Sequence, residues 1–190
     1  MYHYAGNNPI KYIDPDGRLN IYGPNINLLP DCEDIKKWAG KEIRPDDIFV
    51  IAAHGNPGGI YQYLFYEENS EGQPVRGEGT LISPEKLAQM IKNDPKYRDG
   101  MVIELWACNT GKPDVDGTSY AQKLADEIGE GAVVRAPDSN IWFYLRNQRR
   151  LFQAKKIQVE GRVIFVEDRT RPGQMLVFIG KKKEKINEEN

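Results

Sequence analysis

The sequence predicts an α/β fold in which helices pack against a mostly parallel sheet. Short apolar runs typical of buried strands occur at residues 48–53, 101–107 and 132–136. Between successive runs the apolar residues recur at helical spacing, so strands and helices alternate over residues 48–136. This alternation is typical of a parallel sheet that is covered by its crossover helices.

Each of the two core helices has a defined start and end. Ser83 is a favoured N-cap residue and Pro84 follows it at the first helical position, so the first helix begins here and stops before Pro95. The second helix begins after Ser119 and ends at Gly129, with an apolar stripe between the two.

Shorter elements precede and interrupt this core. Upstream, a short helix is predicted from Pro30-Asp31 to Gly40. After the first core strand, residues 60–66 are predicted to form another strand, and the polar, glycine-rich residues 67–79 a hairpin tip or a loop.

Downstream of the core, the chain becomes rich in β-branched and aromatic residues. Residues 157–166 and 175–179 are predicted to form two strands joined by a turn at Arg171-Pro172-Gly173. We therefore expect a β-hairpin appended to the core, followed by a disordered tail at residues 181–190.

The composition indicates a single soluble domain. A chain of 190 residues with 39% hydrophobic and 28% charged residues is long enough to bury one substantial core. No apolar run approaches the roughly 20 residues that span a bilayer. No basic-then-apolar leader is visible either, so we expect neither a membrane span nor a signal peptide. The two cysteines do not make a disulfide framework.

The net charge of −2 hides an uneven distribution. Residues 1–139 are net acidic, whereas residues 140–190 are net basic. A basic region attracts phosphates, nucleic acid or an acidic partner, although a solvated charged face is the simpler interpretation. The basic cluster consists of Arg146, Arg149, Arg150, Lys155, Lys156 and Arg162.

The main chemical signal is a histidine and a cysteine at matching places. His54 and Cys108 each follow the end of a predicted strand, and functional groups gather at the carboxyl ends of parallel strands. A free thiol is mostly protonated at neutral pH, and a nearby imidazole changes that. The backbone amides of Gly55 and Cys108 are suited to hold the oxyanion of a tetrahedral intermediate. Taken singly, each side chain is more simply interpreted as structural; jointly they predict a cysteine nucleophile with a histidine base.

Other residues carry weaker signals. His3 and Cys32 have no such matching neighbour, and two histidines with two cysteines lack the short spacing of a zinc site, so no metal is expected. The loop at residues 55–59 is rich in glycine but lacks the Lys-Ser/Thr pair of a phosphate-binding loop.

The first residues carry a family resemblance. Tyr2-His-Tyr-Ala-Gly-Asn-Asn-Pro9 leads to Ile13-Asp-Pro-Asp-Gly17, and this pattern resembles the end of the conserved core of Rhs/YD-repeat proteins. In that family the core forms a shell, and a variable toxin follows the Asp-Pro-Xaa-Gly motif, often freed by self-cleavage. The resemblance implies a carrier stub at residues 1–19, cut near Leu19, and a toxin domain at residues 20–180.

Residues 45–145 carry a second resemblance. His54-Gly55 is followed about 50 residues later by Ala107-Cys108-Asn-Thr-Gly111, which is similar to the caspase-like (clan CD) cysteine peptidases. The glycine stands one place later than in true caspases, and the string looks more like the toxin-associated branches. The resemblance implies a caspase-like three-layer sandwich with a mostly parallel sheet, extended by β structure at residues 146–180.

The same resemblance implies roles for individual residues. His54 would be the general base and Cys108 the nucleophile of a dyad. No third group is assigned to orient the imidazole, although Glu104 and Asp114 are near in sequence. The loop after the next strand would help build the first specificity pocket, where Asp138 would select a basic side chain or Trp142 would wall an apolar pocket. Both choices stay open.

Together the resemblances imply a cysteine endopeptidase effector of an Rhs-type toxin that cleaves target proteins or itself. The implied partners are a protein substrate, the Rhs carrier shell and a cognate immunity protein, with nucleic acid disfavoured. The protein would be made in a bacterial cytoplasm and secreted or delivered into a target cell. No resident cofactor is expected, and an inositol phosphate activator at the basic cluster is one hypothesis. The alternatives are a non-catalytic binding toxin and a nucleic-acid-targeting toxin that uses the basic C-terminal region.

Overall fold

The computed structural model describes most of the chain between residues 20 and 182. The segment predicted to be a carrier stub, residues 1–19 with His3, lies outside the described residues, as do Cys32, Arg146 and most of the predicted tail. The described ranges are 20–31, 33–63, 66–68, 70, 74–144, 148–159 and 161–182.

Three helices and fifteen strands make up the described chain. The helices are α1 (Asp34–Ala39), α2 (Pro84–Asn93) and α3 (Tyr120–Ile128). The strands are β1 (Asn20–Tyr22), β2 (Ile26–Asn27), β3 (Ile43–Pro45), β4 (Ile48–Ala52), β5 (His54–Asn56), β6 (Gly59–Gln62), β7 (Tyr66–Glu68), β8 (Pro74–Arg76), β9 (Thr80–Ile82), β10 (Val102–Trp106), β11 (Val133–Pro137), β12 (Asn140–Tyr144), β13 (Gln148–Val159), β14 (Arg162–Pro172) and β15 (Met175–Ile179).

A five-stranded sheet forms the centre, in the order β15-β11-β10-β4-β2. The pairs β2·β4, β4·β10 and β10·β11 are parallel, and β15 adds to β11 as an antiparallel edge. The predicted α/β class with a mostly parallel sheet is therefore confirmed, although strands outnumber helices.

Side chains alternate between two cores because neighbouring residues of a strand point to opposite faces. On β4, Phe49 and Ile51 pack with α2 and α3, whereas Val50 and Ala52 pack on the other side. That second core includes residues of α1 and β12, so structure covers both faces of the sheet.

The predicted caps of the core helices are confirmed. The Ser83 hydroxyl accepts a hydrogen bond from the Lys86 amide at 3.3 Å, and the Ser119 hydroxyl accepts one from the Gln122 amide at 3.1 Å. The short upstream helix, α1, starts later than predicted: Glu33 occupies its N-cap position with extended backbone. The chain turns before it, with the Glu33 amide bonded to the Pro30 carbonyl at 3.2 Å.

The predicted C-terminal hairpin is wrong in its turn and its partners. β13 and β14 form the hairpin, with Ile157 opposite Ile164, so the run at residues 157–166 spans the reversal instead of forming one strand. Gly161 has a φ of 79°, which glycine adopts without strain. β15 joins the central sheet on β11 instead.

The segment between β4 and α2 forms small antiparallel sheets. β5 and β6 make a hairpin whose tip is Pro57-Gly58, and β9 extends it. The strand predicted at residues 60–66 is shorter than expected, and β7 with β8 makes the hairpin expected at residues 67–79. None of the helices in the described part of the chain has the length and apolar character that crossing a bilayer requires.

Candidate functional site

His54 and Cys108 occupy matching positions at the carboxyl ends of two neighbouring parallel strands. Ala52 pairs with Trp106 at the end of the β4·β10 ladder. The Ala53 amide then donates to the Trp106 carbonyl at 3.2 Å, which carries the register beyond the strands. Two residues after the last pair come His54, at the start of β5, and Cys108, in the turn that follows β10. Both side chains belong by alternation to the face of Ala52 and Trp106, which is the face covered by α1.

Gly55 allows the two loops to approach each other closely. A Cβ atom at this position would lie 3.0 Å from the Ala107 Cβ atom, the Cys108 carbonyl oxygen and the Thr110 Cγ2 atom. These distances are shorter than the 3.5–4.0 Å or so of ordinary carbon contacts. Because Gly55 has no side chain, the segment after His54 can lie directly against the segment after Cys108.

The His54 ring is oriented by a carboxylate that sequence analysis missed. The Nε2 atom lies 2.6 Å from Oε2 of Glu33, and the two side chains are only 24% and 27% exposed. The ring also meets Tyr63 edge-on, with 5.7 Å between ring centroids. A carboxylate on one nitrogen fixes the tautomer and the orientation of an imidazole. Glu33 lies far upstream in the turn before α1, where no spacing pattern links it to His54.

The Cys108 thiol lies beside the second core and is surrounded by hydrogen-bond donors. The Ile141 amide donates to its sulfur at 3.4 Å. Burial raises the pKa of the Cys108 thiol, while hydrogen bonds from the backbone amides of Ile141 and Cys108 and from the Asn140 side chain act in the opposite direction. The net direction is upward, so the resting thiol is protonated at neutral pH.

The predicted oxyanion donors are adjacent but not both aimed outward. Gly55 lies against the Cys108 carbonyl, and the Cys108 amide hydrogen-bonds to its own sulfur. The oxyanion role of these two amides stays a prediction.

The loop after Cys108 is tightly anchored. Asn109 has a φ of 59°, which is rare for a residue other than glycine. Its amide donates to the Ser139 carbonyl at 2.9 Å, and the Thr110 hydroxyl donates to the Ala107 carbonyl at 2.9 Å. Backbone strain of this kind persists only where the surroundings over-determine it, and it clusters at functional sites.

The structure gives Glu104 a different role from orienting His54. Its Oε1 atom accepts hydrogen bonds from the Trp106 indole at 2.8 Å and from Arg149 at 2.9 Å. The Arg149 guanidinium also stacks on the Trp106 ring, 4.4 Å from its centroid. This buried pair joins β10 to β13. Asp114, the other acid near in sequence, lies instead in the loop that lines an open cleft.

Asp138 and Trp142 make structural contacts. The Asp138 carboxylate accepts a hydrogen bond from the Gln174 amide at 2.8 Å and so holds the start of β15. The Trp142 indole donates to the Phe152 carbonyl at 3.1 Å. Because its neighbours Ile141 and Phe143 pack into the second core, Trp142 faces the other side of its strand. Their assignment to a specificity pocket stays a prediction.

The basic cluster divides into separate contacts along β13 and β14. Arg149 pairs with Glu104, Arg150 lies over the Tyr144 ring, and Lys156 over the Phe165 ring. Across the described ranges, no group of three histidine, cysteine or acidic side chains is placed to hold a metal ion.

Comparison with known proteins places the chain in a family. One relative is the uncharacterized protein YibJ of Escherichia coli (strain K12), 32% identical over 105 residues, which is 55% of this chain and 36% of that protein. The match therefore covers about a third of the relative's length. No solved structure was found to match the chain. The family described as "Domain of unknown function (DUF8616)" matches residues 24–163, which include four of the five central strands (all but β15), Glu33, His54 and Cys108. The chain belongs to this family.

Proposed function

We propose that this DUF8616 domain is a cysteine endopeptidase with Cys108 as nucleophile and His54 as general base. The observation that carries the proposal is the register of β4 and β10, which ends at one edge of the sheet, two residues before His54 and two residues before Cys108. Parallel strands with their carboxyl ends at a common edge are where α/β proteins build reactive sites.

Glu33 extends the dyad to a third member. Its carboxylate holds the Nε2 atom of His54 at 2.6 Å, which leaves Nδ1 as the ring nitrogen that exchanges a proton with the thiol. A carboxylate in this position also stabilises the imidazolium that forms when the thiol loses its proton. In this proposal Cys108 is the nucleophile, His54 the base and Glu33 the group that orients the base.

The reaction follows from these positions. Nδ1 of His54 takes the proton from the Cys108 sulfur as the sulfur attacks the peptide carbonyl, and the carbonyl electrons move to oxygen. The tetrahedral intermediate collapses, the carbon–nitrogen bond breaks, and the imidazolium gives its proton to the leaving amine. Water, deprotonated by the same imidazole, then attacks the thioester carbonyl; the carbon–sulfur bond breaks, the acid is released, and the imidazolium returns its proton to the Cys108 sulfur. The high pKa of the resting thiol means that its proton leaves during attack, with substrate in place.

The caspase-like fold and the Rhs carrier belong to the same proposal. The parallel sheet with structure on both faces supports the first, and the Asp-Pro-Xaa-Gly string at residues 14–17 supports the second. Under this proposal the domain is released from a carrier shell, delivered into a target cell and held inactive in its producer by an immunity protein.

One observation favours a second candidate, a toxin that acts by binding. The partly buried Cys108 side chain packs against the second core, and its pKa is raised, as for a cysteine that serves only as a small core residue. In that case His54 and Glu33 would be an ion pair that supports the fold alone.

The test is a survey of new protein N-termini in a lysate treated with the protein. Cys108→Ala and Cys108→Ser serve as matched variants, and thermal unfolding checks that both are folded. New termini that appear with the unmodified protein and vanish with both variants would support the peptidase. Toxicity that survives both substitutions, with no new termini, would support the binding toxin.

A further inference from the structure

A cleft of about 640 Å³ opens between two segments that follow His54 and Cys108 in the chain. One wall is the tip of the β5–β6 hairpin, and the other is the loop that follows Cys108. The residues that line it are Asn56, Pro57, Gly58, Tyr61, Asp114 and Val115, with Pro113 at the edge. Its volume lies within the range of roughly 300–1,000 Å³ that is usual for ligand sites.

Both walls of the cleft are formed by residues that follow His54 or Cys108 closely in the chain. Asn56 follows His54 by two residues, and therefore points to the same face of β5. Tyr61 pairs with His54 across the hairpin. On the opposite wall, Pro113 follows Cys108 by five residues. A peptide whose carbonyl reaches the Cys108 sulfur would thus have neighbouring side chains within reach of this cleft.

The walls are held in place by their own hydrogen bonds. The Asn56 side chain accepts from the Gly58 amide at 2.8 Å and donates to the Tyr61 hydroxyl at 3.0 Å. On the other wall, the Asp114 amide donates to the Thr118 carbonyl at 3.2 Å. The cleft is therefore present before a ligand arrives.

The cleft presents one uncompensated negative charge. The half-buried Asp114 carboxylate faces the hairpin tip, with its oxygens 3.8 and 3.9 Å from where a Gly58 Cβ atom would be. Among the described residues it makes no hydrogen bond or ion pair. The neighbouring Asp116 is different, because it pairs with Lys123 at 2.6 Å. A carboxylate without a partner, in a cleft lined by tyrosine and proline, is suited to bind a cationic group at the end of an aliphatic side chain.

We infer that this cleft is a specificity subsite that takes a lysine or arginine side chain of the substrate, with Asp114 as its anionic partner. The inference rests on the proposed peptidase function and names its substrate class. It differs from the pocket expected at Asp138, whose carboxylate already accepts a hydrogen bond from the Gln174 amide.

A peptide library tests this subsite. Peptides cut from a proteome with a glutamate-specific protease retain internal lysines, arginines and aspartates, so they offer both basic candidates and one acidic side chain. The unmodified protein should enrich lysine or arginine at one fixed position relative to the cut. Asp114→Asn should lower kcat/KM for those peptides by about 10- to 100-fold, because a hydrogen bond to a charged group is lost, and should leave neutral peptides unchanged. Asp114→Lys should move the preference toward acidic side chains.

Matched acids in nearby loops provide the controls. Asp116→Asn removes a charge from the same loop outside the cleft, and Asp138→Asn tests the other acid; both should keep the basic preference. Cleavage that depends on Cys108 but shows no basic enrichment, or keeps it in Asp114→Asn, would overturn the subsite and leave the peptidase standing. Peptides left uncut by the unmodified protein and by Cys108→Ala alike would overturn the peptidase, and the subsite with it.

Discussion

Replacing Gly55 with alanine should force apart the two segments that carry the site. The new methyl group would lie 3.0 Å from three atoms, of which one is the Cys108 carbonyl oxygen. Ordinary contacts of a Cβ atom begin at 3.4 Å, so each neighbour must retreat by a few tenths of an ångström. The side chain of Thr110 can turn aside, but the backbone at Cys108 is anchored through Asn109 and cannot yield freely.

The cost of this overpacking is about 1–3 kcal/mol in the free energy of unfolding. For a domain of this size that corresponds to a fall of roughly 2–12 °C in the melting temperature. A shift of a few tenths of an ångström between the segments that carry His54 and Cys108 should also lower kcat, by less than the roughly 100-fold loss that a misplacement of about 1 Å causes. Differential scanning calorimetry measures the first effect, and the rate of cleavage of a peptide substrate measures the second.

Gly40→Ala is the matched control. Gly40 has helical backbone with a φ of −65°, and a Cβ atom there would have its nearest contacts at 3.4 and 3.5 Å. Its substitution should leave stability unchanged or raise it by about 0.4–1 kcal/mol. If Gly55→Ala melts like the unmodified protein and cleaves at the same rate, the close approach of the two loops is wrong.

Three further predictions follow from named contacts. Glu33→Gln removes the charge beside the imidazole, so kcat/KM should fall by roughly 10- to 100-fold while the melting temperature changes little, and Glu33→Asp should recover part of the rate; an unchanged rate in Glu33→Gln would remove Glu33 from the mechanism. Arg149→Met removes the closer of the two cations beside the Glu104 carboxylate, at 2.9 Å, and leaves only Arg135 at 4.0 Å; it should cost about 2–3 kcal/mol by urea unfolding, whereas Arg150→Met should cost far less, and equal losses would contradict the special role of the Glu104–Arg149 pair. Because burial raises the pKa of the Cys108 thiol above its ordinary value of 9.0, alkylation by iodoacetamide should be slower than for an unfolded cysteine at every pH below about 9. The raised pKa also predicts that stability falls with pH. The contribution of this thiol to the free energy of unfolding is complete below the unfolded pKa and is lost as the pH rises through the higher folded pKa. A free energy of unfolding that rises over that window, relative to Cys108→Ala, would contradict this prediction.

Local patterns in the sequence predicted the elements that place the dyad. Ser83 and Ser119 cap helices because their hydroxyls accept hydrogen bonds from nearby backbone amides. Such short-range contacts can be predicted from a few consecutive residues. The central strands were predicted because each is a short apolar run between breakers. Once parallel neighbours are assumed, the shared edge of His54 and Cys108 follows.

The parts that could not be predicted depend on contacts between distant segments. Glu33 reaches His54 only because α1 folds over the face of β4, and no local pattern encodes that approach. The role of Glu104 depends in the same way on Arg149, which arrives from β13. The C-terminal hairpin was misplaced because a single glycine, Gly161, reverses a chain whose flanks look like one continuous strand.

The most direct test of the account is a double-mutant cycle on the dyad. Peptide cleavage is measured for the unmodified protein, His54→Ala, Cys108→Ala and the double variant, each shown to be folded. Residues that act as one unit lose activity non-additively. The account predicts that Cys108→Ala is inactive and that adding His54→Ala lowers the residual rate no further. Cleavage that persists in Cys108→Ala, or losses that add, would contradict the claim that these two residues form one catalytic unit.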